Sequence, residues 1–79
     1  MIKELVKDIA TALVDDEEAV NVHFVDGEHT VIIELTVGKP DVGKVIGRQG
    51  RIADAIRTIV GAAAAKTQKR YVLQILDGR

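Results

Sequence analysis

Val45-Ile46-Gly47-Arg48-Gln49-Gly50-Arg51-Ile52 is the stretch on which the fold turns. Two glycines three positions apart interrupt an apolar run, and the residues between them are a cation and an amide, with no acid. Upstream, Gly38 and Pro40 close an extended segment, and Asp41 stands where it can cap a short helix running to about Ile46. Downstream, Ile52, Ile56, Ile59, Val60 and Ala63 recur at helical spacing. They predict a longer helix from Arg51 to about Lys66, with those five side chains toward a sheet. The octet is therefore a turn between two helices. Such a turn leaves backbone N–H groups and a helix N-terminus pointing outward, which suits an anion, and glycine at both corners lets another backbone come close. Lys44 and Arg51 flank it and concentrate positive charge there.

Working outward, Ile2, Leu5, Val6, Ile9, Ala10 and Leu13 predict an amphipathic helix over residues 2–14, ended by the acidic run at 15–18. Four adjacent carboxylates point in different directions on a helix or turn, so a solvated loop explains them better than a metal site. Alternating Val20, Val22 and Phe24, then Asp26-Gly27, then an apolar run at 30–37, read as a β-hairpin. Thr67-Gln68-Lys69 turns the chain into a last strand at 71–76. The order α-β-β-α-α-β predicts an α+β, two-layer domain with helices on one face of a three-stranded sheet. At 79 residues, one domain spanning 1–79 is all that fits.

The net charge of -1 conceals a division. Residues 1–38 hold nine acids and two bases, a sum of -7, whereas 39–79 hold three acids and nine bases, a sum of +6. That asymmetry fits a polyanion-binding side, and equally a pair of faces that neutralise each other in an assembly. With no cysteine, disulfide staples and thiolate zinc sites are excluded. Charges alternate with apolar residues over 1–8, whereas a signal peptide needs roughly 7–15 unbroken apolar residues. The uncharged segment 58–65 is far short of the roughly 20 residues of a membrane span. A cytoplasmic protein without membrane insertion is expected.

Other chemistry finds little support. Gly38-Lys39-Pro40-Asp41-Val42-Gly43-Lys44 has the spacing of a phosphate-binding P-loop, but Val45 stands where a hydroxyl should meet magnesium, Pro40 removes a backbone donor, and Asp41 would set a carboxylate near the phosphates. His23 and His29 have no third ligand at metal spacing, and serine and cysteine are both absent, so no nucleophile with a nearby base suggests itself. No enzyme activity, cofactor or metal is expected.

The octet in its context resembles the signature of KH domains, whose GXXG loop clamps the backbone of about four single-stranded nucleotides. The element order is similar to the type II form of that fold, which implies a mixed sheet. More narrowly, the chain resembles the KhpA family of small bacterial single-KH proteins, in its first helix ending Ala-Leu-Val-Asp, its run from Gly43 to Thr58, and its alanine run at 62–65. The resemblance implies an RNA groove between the GXXG loop with its two helices and the adjoining strand with a variable loop. In this chain that variable loop is Lys66-Thr67-Gln68-Lys69-Arg70, so Lys66, Lys69 and Arg70 join Gly47, Arg48, Gln49, Gly50, Lys44 and Arg51 as expected contacts.

Val45, Ile46 and Ile52 are candidates for an apolar groove floor, with Ile33 or Leu35 beneath. Core packing is the competing account of each, and the stronger one for Ile52 and Leu35. Phe24 and Tyr71 are the only aromatics apart from histidine, too few for binders that rely on aromatic platforms. Phe24 reads as core, and Tyr71 could border the groove. On the outer side of the last helix, Gly61, Ala62 and Ala65 form a small, uncharged surface where a second helix could pack. The family resemblance adds that KhpA-like proteins self-associate and pair with a larger KH protein, KhpB, also called Jag. The expected function is non-catalytic binding of single-stranded RNA, as an RNA chaperone or post-transcriptional regulator, by a homodimer or with a KhpB/Jag-like partner. A protein-interaction module with incidental nucleic-acid binding is the alternative, and single-stranded DNA stays open as a ligand.

Overall fold

Alternation through β2 (Thr30–Gly38) puts Val31, Ile33, Leu35 and Val37 on one face of the strand, and all four are buried. The computed structural model describes residues 1–78. In it β2 is the central strand. β1 (Asn21–Asp26) runs antiparallel to it, from Asn21 opposite Thr36 to Asp26 opposite Val31. β3 (Arg70–Gly78) runs parallel on the other side, from Arg70 opposite Thr30 to Gly78 opposite Gly38. A parallel neighbour demands a crossover, which α2 (Val42–Ile46) and α3 (Arg51–Ala63) supply. With α1 (Ile2–Leu13) the order is α-β-β-α-α-β, and the three-stranded sheet is mixed, both as expected.

One apolar cluster joins the layers. Val6 and Ala10 from α1, Ile33 and Leu35 from β2, Val45 from α2, Ile56 and Val60 from α3, and Leu73 from β3 all belong to it. It is almost wholly aliphatic. Phe24 and Tyr71 pack against it but stay half-buried, which corrects the expectation that Phe24 is core.

α3 departs from the predicted helix in two ways. It ends at Ala63, short of Lys66, because Thr67 captures the Ala64 carbonyl with both its backbone N–H (2.9 Å) and its hydroxyl (2.8 Å). That carbonyl can no longer accept from the next helical residue, and the chain turns. The helix is also rotated from the expected face. Ala53, Ile56, Val60 and Ala64 are buried, Ile52 and Ala63 are half-buried, and Ile59 is 45% exposed. Apolar residues cover most of this helix, so period alone fits more than one face. Small alanines at 53 and 64 let the helix lie close to the sheet, and the larger Ile59 is left outside.

Candidate nucleic-acid interface

The turn between α2 and α3 depends on backbone conformations that only some residues adopt. Gly47 has φ 77° and ψ 172°, a combination essentially confined to glycine. A Cβ there would also lie 2.6 Å from Cγ1 of Ile52, so neither the backbone nor the space admits a side chain. Gly50 is left-handed (φ 76°, ψ 13°) with nothing within 4 Å of a Cβ, so conformation alone selects glycine at that position. Between them Gln49 is also left-handed, at φ 59°. The turn is closed by three backbone bonds, from the Gly47 N–H to the Gly43 carbonyl (2.9 Å), from the Gly50 N–H to the Gly47 carbonyl (3.1 Å) and from the Arg51 N–H to the Arg48 carbonyl. Among the described residues no side chain caps the start of α3, so, beyond the Arg51 N–H, its first-turn donors and the positive end of a 13-residue helix face the turn.

Arg48, Gln49 and Arg51 project from this turn and are exposed. Arg51 donates from Nη2 to Gln49 Oε1 at 3.4 Å, whereas Arg48 has no side-chain partner among the described residues. Ile46 is 36% exposed beside them, and Ile52 is half-buried. A cation, an amide, uncapped backbone donors and an aliphatic shoulder thus share one corner of the domain. That set can hold a phosphate and pack against a base without reading its identity.

The corner is held in place by a buried acid. Asp41 is 3% exposed and does not cap α2, contrary to expectation. Its Oδ2 accepts the Asp16 backbone N–H at 3.1 Å, and its Oδ1 accepts from Lys44 Nζ at 2.8 Å. Lys44 also donates to Asp15 at 2.9 Å. The start of α2 is thereby pinned to the segment that follows α1. Hydrogen bonding from Lys44, then from the Asp16 N–H, holds the Asp41 carboxyl below its ordinary 3.8, and Asp41 followed by Asp15 raises the Lys44 ammonium above 10.5. A depressed carboxyl stabilises the fold above its unfolded value and loses that contribution as pH falls through the folded one; a raised lysine stabilises it below 10.5 and loses that contribution as pH climbs through its higher folded value. Asp41→Asn should therefore lower the melting temperature at pH 7, and the gap from the parent should close as pH falls below 3.8. An unchanged gap between thermal melts at pH 7 and at the acid end would contradict this role.

Several expected contacts lie elsewhere. Val45 is fully buried, so it anchors α2 in the core and presents nothing to a ligand; Ile33 and Leu35, also at 0% exposure, are not groove floor. Ile75 on β3 is half-buried on the helix side and is the strand residue that can border the groove. The Lys44 ammonium is already held between two carboxylates. Lys69 pairs with Asp26 at 2.7 Å. Arg70 lies opposite Thr30, and alternation with Tyr71 turns it to the open face of the sheet, away from the helices. Lys66 is exposed past the end of α3, roughly 20 Å along that helix from the glycine turn. Arg57, which the sequence reading left out of the site, reaches from α3 to the Leu73 carbonyl (3.5 Å) while pairing with Asp54 (3.1 Å).

A family model described as KhpA/KhpB, KH domain, matches residues 3–75. The chain belongs to the KhpA/KhpB KH-domain family. It is 58% identical over 73 residues to the RNA-binding protein KhpA of Caldanaerobacter subterraneus subsp. tengcongensis, covering 92% of this chain and 97% of that relative. It is 57% identical to the RNA-binding protein KhpA of Clostridium perfringens over 94% of this chain and 99% of the relative. For the RNA-binding protein KhpA of Borreliella burgdorferi the identity is 54%, with 94% and 90% covered. The glycine turn is thus the GXXG loop of a KH fold, set between α2 and α3.

Proposed function

We propose that this KH domain is a non-catalytic binder of single-stranded RNA that clamps the backbone at Gly47–Gly50, through the amides at the uncapped start of α3, Arg48 and Gln49, with Arg51 beside them. The observation that carries the reading is the pair of positive-φ glycines at the uncapped start of α3 inside the basic half of the chain. Lys44 and Val45 act by positioning α2, and Ile46 offers aliphatic surface to a base. The names of the KhpA relatives support RNA as the ligand. In the cell the domain serves as an RNA chaperone or post-transcriptional regulator. Phosphate contact is tested by salt. Each phosphate neutralised on a single strand contributes about -0.7 to the log–log slope of affinity against salt. A filter-binding titration should give a slope of about -2, for three contacts within a four-nucleotide footprint. A slope near zero would remove the clamp.

The outer surface of α3 favours assembly as well. Ile59 is 45% exposed, and Gly61, Ala62 and Ala65 are exposed near it. A second copy or a KhpB/Jag-like partner packing there would cover Ile59 and pair two weak grooves, raising avidity through effective concentration. Mass in solution and RNA affinity measured on one sample separate this from a pure assembly module. Association without RNA binding would favour the module.

A further inference from the structure

The two aromatic rings pack on the edge of the core and leave part of their surface open. Phe24 and Tyr71 meet edge to face, 6.2 Å between centroids and 73° between planes, and both remain half-buried. They floor a cleft of about 410 Å³ between the start of α1 and the end of α3, which also takes in Ile2, Ala63 and Thr67. Two lysines, Lys3 and Lys66, stand at its rim. The acid at the rim, Glu4, is taken by the Met1 ammonium at 2.8 Å, whereas neither lysine has an ion-pair partner among the described residues. This cleft lies at the opposite end of α3 from the GXXG loop, on the side of α1.

We propose that the cleft between α1 and α3 takes a nucleobase of the same RNA strand that the GXXG loop holds, packed on the Phe24–Tyr71 pair with one ring along its face and the other at its edge, and with Lys3 and Lys66 on its phosphates. The volume suits a small planar ligand, and an aromatic floor with a few polar groups is the composition of such sites. Bases splayed from a single strand stack on aromatic side chains, and the unpaired cations select a polyanion over an apolar protein segment. The inference rests on the RNA-binding reading. It adds a second contact that extends the footprint beyond the loop.

The chain has one tyrosine and no tryptophan, so tyrosine emission reports this cleft alone. The full chain is titrated with unstructured RNA of four and of ten nucleotides, reading emission and the anisotropy of labelled RNA together. The decamer should quench the emission at the concentrations where it binds. Tyr71→Leu, which keeps an apolar side chain, should weaken the decamer about tenfold and leave the tetramer unchanged. Lys66→Glu, at an exposed site outside the core, should weaken the decamer too and leave the melting temperature close to the parent's. Unchanged emission at saturating RNA, or parental affinity in both variants, overturns the proposal. Emission that tracks protein concentration without RNA assigns the cleft to a second copy instead and overturns it as well. If Arg48→Asp/Gln49→Asp abolishes binding while Tyr71→Leu and Lys66→Glu do nothing, the cleft falls and the RNA reading stands. If the parent binds neither RNA, both fall.

Discussion

Gly47→Ala is expected to cost the domain about 3 kcal/mol, against about 1 kcal/mol for Gly50→Ala three residues away. The two glycines have nearly the same φ, 77° and 76°, so a reading from φ alone would rank the substitutions equally. They differ in ψ and in space. At Gly47 the backbone lies in a region that a Cβ all but forbids, and the added carbon would meet three atoms of Ile52 at 2.6 to 2.9 Å. Relief requires α2 or the start of α3 to shift, which disturbs Val45 and Ala53 in the core. At Gly50 the conformation is ordinary left-handed backbone in open space, which Gln49 already adopts one residue earlier. A domain of this size shifts by roughly 4–8 °C for each kcal/mol, so thermal melts should separate the variants by roughly 10 °C. Equal melting temperatures would show that the turn is not held as described.

Arg48→Asp combined with Gln49→Asp should weaken binding of a single-stranded RNA by about 100-fold or more while leaving the melting temperature within a few degrees of the parent. Both side chains are exposed, and substitutions at such sites usually move stability by no more than about 0.5 kcal/mol. Gln49 sits at φ 59°, a conformation that aspartate tolerates better than most residues, so the backbone is not strained by the change. The loss in binding has two sources. A charge-assisted contact and an amide contact disappear, each worth about 1.5–3 kcal/mol to an ionic partner, and two carboxylates then face the phosphates. Affinity from anisotropy and a thermal melt on the same preparation check both halves. Unaltered affinity in a folded double variant would dissociate the loop from RNA.

The order of elements and the position of the loop were legible in the sequence because each rests on a local signal. Alternation marks β2, Asp26-Gly27 marks the hairpin, and paired glycines mark the turn. What was not legible depends on contacts between distant segments. Asp41 looks like a helix cap three residues before Lys44, and only the fold brings the Asp16 N–H to its other oxygen. Val45 and Ile46 are adjacent aliphatics, and one is sealed while the other borders the site, because a five-residue helix buries a single side chain. The variable-loop cations read as one basic patch, yet a strand beginning at Arg70 turns that side chain to the far face, and Asp26 across the sheet takes Lys69. On α3, an apolar surface covering more than half the circumference left Ile59 and Ala53 interchangeable by period. Their sizes decide which one faces the sheet.

The claim that the GXXG loop receives the phosphodiester backbone is tested most directly by backbone amide shifts during titration with a four-nucleotide single-stranded RNA. The amides of residues 47–53 should move most and saturate together, while those of Asn21 and His23 on the open face of the sheet stay in place. Saturating RNA that moves the sheet-face amides and leaves 47–53 unmoved would contradict it.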